Sequence, residues 1–108
     1  MLGVLNACSI AKRLHASAFT VVVADVVTPE TLAIYRSAMP NCMTVHLVVT
    51  LEEARRRART RRIWLTEVEF SALHRADQEA PPPVDHHLDV TGLGFDAQVA
   101  AVDAIWSA

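Results

Sequence analysis

The sequence predicts an α/β fold, a three-stranded parallel sheet with flanking helices, on three observations. Two runs, FTVVVADVV at residues 19–27 and MTVHLVV at 43–49, are β-branched and almost continuously apolar, as strands buried on both faces are. A shorter run, DHHLDVT at residues 85–91, reads as a third strand. Between and after them lie stretches of helical period, two of which open on a Thr with a Glu three residues later. Strand, helix, strand, helices, strand, helix is the order of a parallel sheet with right-handed crossovers.

Taken in order, residues 2–16 place Val4, Ala7, Cys8, Ala11 and Leu14 at helical spacing and leave Asn6, Lys12 and Arg13 for water. This helix has no visible cap or lead-in, which suggests that something belongs before it. After the first apolar run, Thr28-Pro29-Glu30 starts a second helix. Thr28 is its N-cap, Pro29 its first helical residue and Glu30 an acid at the positive end of the dipole. That helix carries Leu32, Ile34, Tyr35 and Met39 and stops at Pro40. In the second strand His46 is the lone ionisable residue, and a satisfied core histidine is the ordinary reading of it.

Next comes LEEARRRARTRR, residues 51–62, which holds six of the ten Lys and Arg residues. Thr50 and Glu53 predict a capping box, and Leu51, Ala54 and Ala58 an inward side. Arg56 and Thr60 point away from that side. Glu52 with Arg56 and Glu53 with Arg57 are i,i+4 pairs, each contributing roughly 0.2–0.5 kcal/mol. Arg55, Arg59 and Arg62 form a flank stripe without partners in the helix, so the stripe calls for an anion from elsewhere. Phosphate suits the guanidinium fork. The plain alternative is a solvated basic face.

Thr66 and Glu69 predict a second capping box, opening a helix through Phe70, Leu73 and His74 toward Ala76. Three consecutive prolines in residues 80–84 predict an extended surface connection. Gly92 and Gly94 end the third strand, and a last helix is expected to bury Phe95, Val99, Val102 and Trp106.

Composition bounds the function. A chain of 108 residues makes at most one domain, and 52% hydrophobic content is ample for a core. A net charge of −2 excludes a general polyanion binder and intrinsic disorder. The two cysteines, Cys8 and Cys42, lack metal or redox spacing and read as small apolar residues of a reducing compartment. No signal-peptide layout and no apolar run of membrane-spanning length occur, so the expected location is the cytoplasm, with no membrane partner. His74, Asp77, Asp85, His86 and His87 lack metal-site spacing, because adjacent histidines on a strand point to opposite faces. Ser9, Ser17, Ser37 and Ser71 lack the elbow of a hydrolase nucleophile. Trp64 beside the arginines reads as a core anchor before a base-stacking platform.

In a parallel sheet, ligands gather at the carboxyl ends of the strands. Asp25 stands near one such end, the arginine helix follows another and the Thr91-Gly92-Leu93-Gly94 loop follows the third. An acid, a guanidinium cluster and a glycine loop are thus expected on one rim.

The succession VVVADVV, VHLVV with EEARRRARTRR, DHHLDVTGLG and a closing amphipathic helix resembles the C-terminal part of small P-loop kinases of the AAA type, over nearly the whole chain. Gluconate-, shikimate- and chloramphenicol-kinase-like proteins belong to that group. The resemblance implies ATP-dependent phosphoryl transfer to a small molecule or nucleotide, with ATP and Mg as cofactors. It implies that Asp25 supports magnesium or acts as base. It likewise implies that Arg55, Arg59 and Arg62 belong to an Arg-rich lid within residues 51–77, and that Thr91, Gly92 and Gly94 border the adenine. Such lids stabilise charge developing in transfer, a reaction governed by positioning and electrostatics.

One departure is large. No G-x-x-x-x-G-K-[ST] occurs, and the chain has three glycines, Gly3, Gly92 and Gly94. Nothing replaces the loop's amides, its Lys or its magnesium-binding hydroxyl. The chain is therefore expected to be a kinase-like fragment, inactive alone and prone to self-association, from a mis-started frame, a degenerate gene product or a deliberate fragment. The competing reading is a non-catalytic binding or structural module whose arginine helix docks a phosphate or an acidic partner. Nucleic acid is not expected, because Ala54 and Ala58 offer no base-reading groups beside the arginines and the net charge is negative.

Overall fold

The computed structural model describes residues 2–60 and 65–107. Its elements run α1 (Leu2–Ala16), α2 (Pro29–Ala38), β1 (Val45–Val48), α3 (Leu51–Ala58), α4 (Glu67–Glu79), β2 (His86–Asp89) and α5 (Phe95–Trp106). The chain divides into two compact units, residues 1–42 with 81–83, and residues 43–80 with 84–108.

In the first unit α1 and α2 meet through Val4, Cys8 and Tyr35, with Ala7, Ile34, Ala38 and Met39 packed around them. Leu32 and Ala11 are buried as well. The expected apolar face of α1 is the buried one. The helix ends in a Schellman motif: Ala18 N–H donates to His15 O at 3.0 Å and Phe19 N–H to Leu14 O at 3.0 Å. Ala18 occupies the left-handed position, φ 66°, where glycine is the unstrained choice. Helix α2 starts as expected at Thr28, whose hydroxyl accepts from Thr31 N–H while Thr31 Oγ1 accepts from Thr28 N–H.

The strand expected at residues 19–27 does not form. No backbone–backbone hydrogen bond joins residues 20–27 to any described residue. Phe19, Val22 and Val26 are 60%, 72% and 88% exposed. The sheet of the described residues therefore has two strands, not three. β-Propensity measures fit to a pleated neighbour, and this run has no ladder to join. The proline segment also departs from expectation, since Pro82 is buried between exposed Pro81 and Pro83.

The second unit holds β1 and β2, paired in parallel with Val45 opposite His86, His46 opposite His87, Leu47 opposite Leu88 and Val48 opposite Asp89. Side chains clip the pair at both ends. At the amino end, Asp85 Oδ2 accepts from Thr44 N–H at 2.9 Å and from Thr44 Oγ1 at 3.0 Å, and Asp85 N–H donates to Thr44 Oγ1 at 3.0 Å. At the carboxyl end, Thr50 N–H donates to Thr91 Oγ1 at 3.1 Å.

Helix α4 carries the complete capping box expected of Thr66 and Glu69. Bonding from Thr66 to its carboxylate holds Glu69 below the usual carboxylate range. Helix α5 turns a different face inward from the one its apolar residues suggest. Phe95, Val99 and Trp106 are exposed, while Gln98, Ala101, Val102 and Ile105 are half-buried. On the inward face Gln98 Nε2 donates to Leu93 O at 2.9 Å.

Candidate anion-binding site

The carboxyl ends of β1 and β2 lead into α3 and into the loop at residues 90–94. Thr50 caps α3 by accepting from Glu53 N–H at 3.2 Å. The reciprocal arm of the expected box is missing, because the Glu53 carboxylate turns to two arginines instead. Arg56 grips it through Nε, at 2.8 Å, and through Nη2. Arg57 Nε donates to the same carboxylate at 2.9 Å. Bonds from Arg56 and then Arg57 pull the Glu53 carboxyl down to about 2, and Glu53 in turn raises the Arg56 guanidinium. The expected pair of Glu53 with Arg57 is present; Arg56 takes Glu53 at i,i+3 in place of Glu52.

Arg57 reaches further. Its Nη2 donates to Val90 O at 2.8 Å and to Leu93 O at 3.2 Å, tying the loop after β2 to α3. The glycine loop is thus pinned by a guanidinium. Neither Gly92 nor Gly94 has a positive φ, and a Cβ at either would meet only open space, so the loop does not require glycine. Thr91 is oriented from behind by Asp89, whose Oδ1 accepts from Thr91 Oγ1 at 2.6 Å and from Thr91 N–H at 3.0 Å. Those bonds hold the Asp89 carboxyl below its ordinary value.

The first member of the stripe has no partner inside α3, as expected, but meets an anion on the neighbouring helix α4. Arg55 Nη2 lies 2.7 Å from Glu67 Oε1 and donates to Ser71 Oγ at 2.9 Å, both on α4. The anion that Arg55 called for is supplied by the chain itself. Arg62, like Trp64, lies outside the described residues. Arg59, exposed at the carboxyl end of α3, has no side-chain partner among the described residues. It lines two recesses. One, about 420 Å³, is bounded by Arg55, Ala58, Arg59, Glu67 and Phe70. The other, about 230 Å³, is bounded by Thr50, Glu52, Glu53, Arg56, Arg59 and Thr91. Arg55 and Glu67 cancel in the larger recess, which leaves the charge of Arg59 uncompensated there. The smaller recess balances two acids against two arginines, and the acids occupy the positive end of the α3 dipole. The larger recess therefore carries a net positive charge at Arg59.

Asp25 belongs to the first unit, whereas the arginines and the Thr91 loop belong to the second. Its Oδ2 accepts from Tyr35 Oη at 2.7 Å and its Oδ1 from Val26 N–H at 2.8 Å. Burial, then the bond to Asp25 and its charge, push the Tyr35 hydroxyl up to about 12. Both carboxylate oxygens of Asp25 are thus engaged within their own unit. Among the described residues no group of three or more His, Cys, Asp or Glu could hold a metal ion. With Asp25 and Arg55 engaged and no phosphate-cradling loop in the sequence, these residues do not fit a magnesium nucleotide. No helix among the described residues is long and apolar enough to cross a membrane.

Sequence reasoning missed the reach of Arg57 across to the loop and the alignment of His46 with Asp77 on α4, 2.9 Å apart. The signal for the first was present: an arginine facing the half-buried side of a helix needs acceptors beyond its own turn.

The second unit is thus a two-stranded parallel α/β layer whose carboxyl-end rim carries, among the described residues, one arginine without a side-chain partner. No family model, curated protein or solved structure matches the chain.

Proposed function

We propose that this chain is a non-catalytic module that docks a phosphate or an acidic group of a partner on Arg59, in the recess it shares with Arg55 and Phe70. One observation carries the reading. Arg59 alone, of the described α3-region arginines, has a guanidinium with no acceptor among the described residues, and it borders both recesses. A planar guanidinium beside an apolar ring suits an anion on an organic framework. Calorimetric titration with inorganic pyrophosphate tests it. Arg59→Ala should weaken binding roughly tenfold to a hundredfold, as expected for a lost charge-assisted hydrogen bond. Arg13→Ala, on α1, should leave it unchanged. Equal binding by wild type and Arg59→Ala, or no binding at millimolar pyrophosphate, defeats the proposal.

The resemblance of the sequence to small P-loop kinases motivates a second reading, that the module is a fragment of a P-loop kinase-like protein whose parent activity was ATP-dependent phosphoryl transfer. On that reading ATP, Mg and an acceptor molecule are bound by a longer form. The chain alone transfers no phosphate, for want of the glycine-rich loop. ATP turnover by the purified chain would overturn the non-catalytic assignment.

A further inference from the structure

Three side chains of the second unit lie in one hydrogen-bonded string. His46 Nε2 is 2.9 Å from Asp77 Oδ2, and His46 Nδ1 is 3.3 Å from His87 Nδ1. The two rings stand opposite one another in the strand register, with centroids 5.4 Å apart and planes at 74°. His46 is nearly enclosed, its side chain 16% exposed, whereas His87 at the outer end is open to solvent.

Proton counting gives this string one asymmetric property. With Asp77 ionised and both rings neutral, His46 must carry its proton on Nε2 to reach Asp77, which leaves Nδ1 as a lone pair. His87 must then donate from Nδ1 and leave Nε2 bare toward water. A first added proton settles on His87 Nε2 and every bond in the string survives, with cation, neutral ring and anion in line. Of the ring nitrogens, only His46 Nδ1 is left for a second proton. Two Nδ1–H groups then face each other with no acceptor between two like charges, and that contact must break. His87, being exposed, is the member that can leave.

From this geometry we infer that His46, His87 and Asp77 form a proton-operated clasp between the two strands, which stays closed with no or one added proton and opens on the second. Other ionisable groups lie beside it on its own elements among the described residues. From α4 comes His74, one turn before Asp77, whose Nε2 is buried without a partner. On β2, Asp85 and Asp89 flank His87 at alternate positions, and each carboxylate is held by a threonine. His86 points to the opposite face. Beyond His87, Asp89 orients Thr91 against Thr50, so opening the clasp loosens the strand pair beneath that rim.

Side-chain nitrogen NMR of the whole chain, followed through an acid titration, tests the clasp. At neutral pH His46 should show the Nε2–H form and His87 the less common Nδ1–H form. The single hydrogen between the two Nδ1 atoms should persist through the first proton, and the bond it makes should vanish with the second. At that step the His86 and Val90 amides, bonded to Thr44 O and Val48 O, should exchange roughly five- to tenfold faster. In His87→Ala that acid-dependent step should be absent, and in Asp77→Ala the fixed Nε2–H form of His46 should give way to a mixture. An Nε2–H form at His87 at neutral pH, or the same acid-dependent exchange in wild type and His87→Ala, overturns the inference.

Discussion

Two apolar runs of this chain look alike in sequence and differ in structure. FTVVVADVV and MTVHLVV are both β-branched and each carries one ionisable residue. The second contains β1, whereas the first stays unpaired and mostly exposed, with Val27 at its end packed against the core of α1 and α2. The difference lies outside both runs. Residues 43–49 meet β2, and side chains clip that pair at both ends through Thr44 with Asp85 and Thr50 with Thr91. A two-stranded sheet is marginal by itself in water, so those polar clips and the Arg57 tie add to what holds the pair together. A strand is a property of a pair, and apolar content does not create the partner.

Proline substitution probes this contrast with the largest expected effect. Val90 is buried and its N–H donates to Val48 O at 2.8 Å. Val90→Pro removes a hydrogen bond of about 1 kcal/mol and a buried side chain of roughly 1.5–3 kcal/mol, so chemical denaturation should show a loss of about 2.5–4 kcal/mol. Val22→Pro, in the unpaired run, should change stability by no more than about 0.5 kcal/mol. Comparable losses from the two would mean that the first run is paired after all, and the contrast would fail.

A smaller effect sharpens the point that polar ties hold the second unit. Arg57→Ala leaves the carbonyls of Val90 and Leu93 without their donor and should cost about 1.5–3 kcal/mol in the same measurement. Arg57→Lys should recover only part of this, because an ammonium cannot span both carbonyls and Glu53 at once. Full recovery by Lys would reduce the tie to a simple charge effect.

The smallest effect concerns the first unit, where an apolar core surrounds one hydroxyl. Tyr35 is the chain's one tyrosine, so its ionisation can be followed by tyrosinate absorbance without ambiguity. Folding raises its pKa from 10.0 to about 12, so the folded state holds this proton more tightly than the unfolded one. The associated stability is complete below the unfolded value and is lost as pH rises from about 10 through 12. Tyr35→Phe should cost about 1 kcal/mol at neutral pH and abolish that alkaline slope. An ordinary tyrosine titration in the folded protein would show that Asp25 does not engage the hydroxyl.

Local signals in the sequence were sufficient wherever the determining partner lies within a few residues. Thr28, Thr50 and Thr66 cap their helices as their spacing requires, and Val4, Cys8 and Ala11 mark the inward face of α1. Both strands of the sheet were legible, with Val45–Val48 and His86–Asp89 inside the runs that predicted them. What the sequence could not determine was each side chain's choice among partners distant along the chain. Glu53 gave up the second arm of its capping box to two arginines, and Arg55 found Glu67 where an external anion was expected. On the inward face of α5 Gln98 bonds a carbonyl five residues away, while Phe95 and Trp106 are exposed. Residues 19–27 had the composition of a strand and no ladder to join. Caps and periodic faces are short-range and strongly directional, so the sequence by itself determines them. Ladder pairing, ion-pair choice and the freedom of Arg59 depend on groups brought together by the tertiary structure, and only there are they decided.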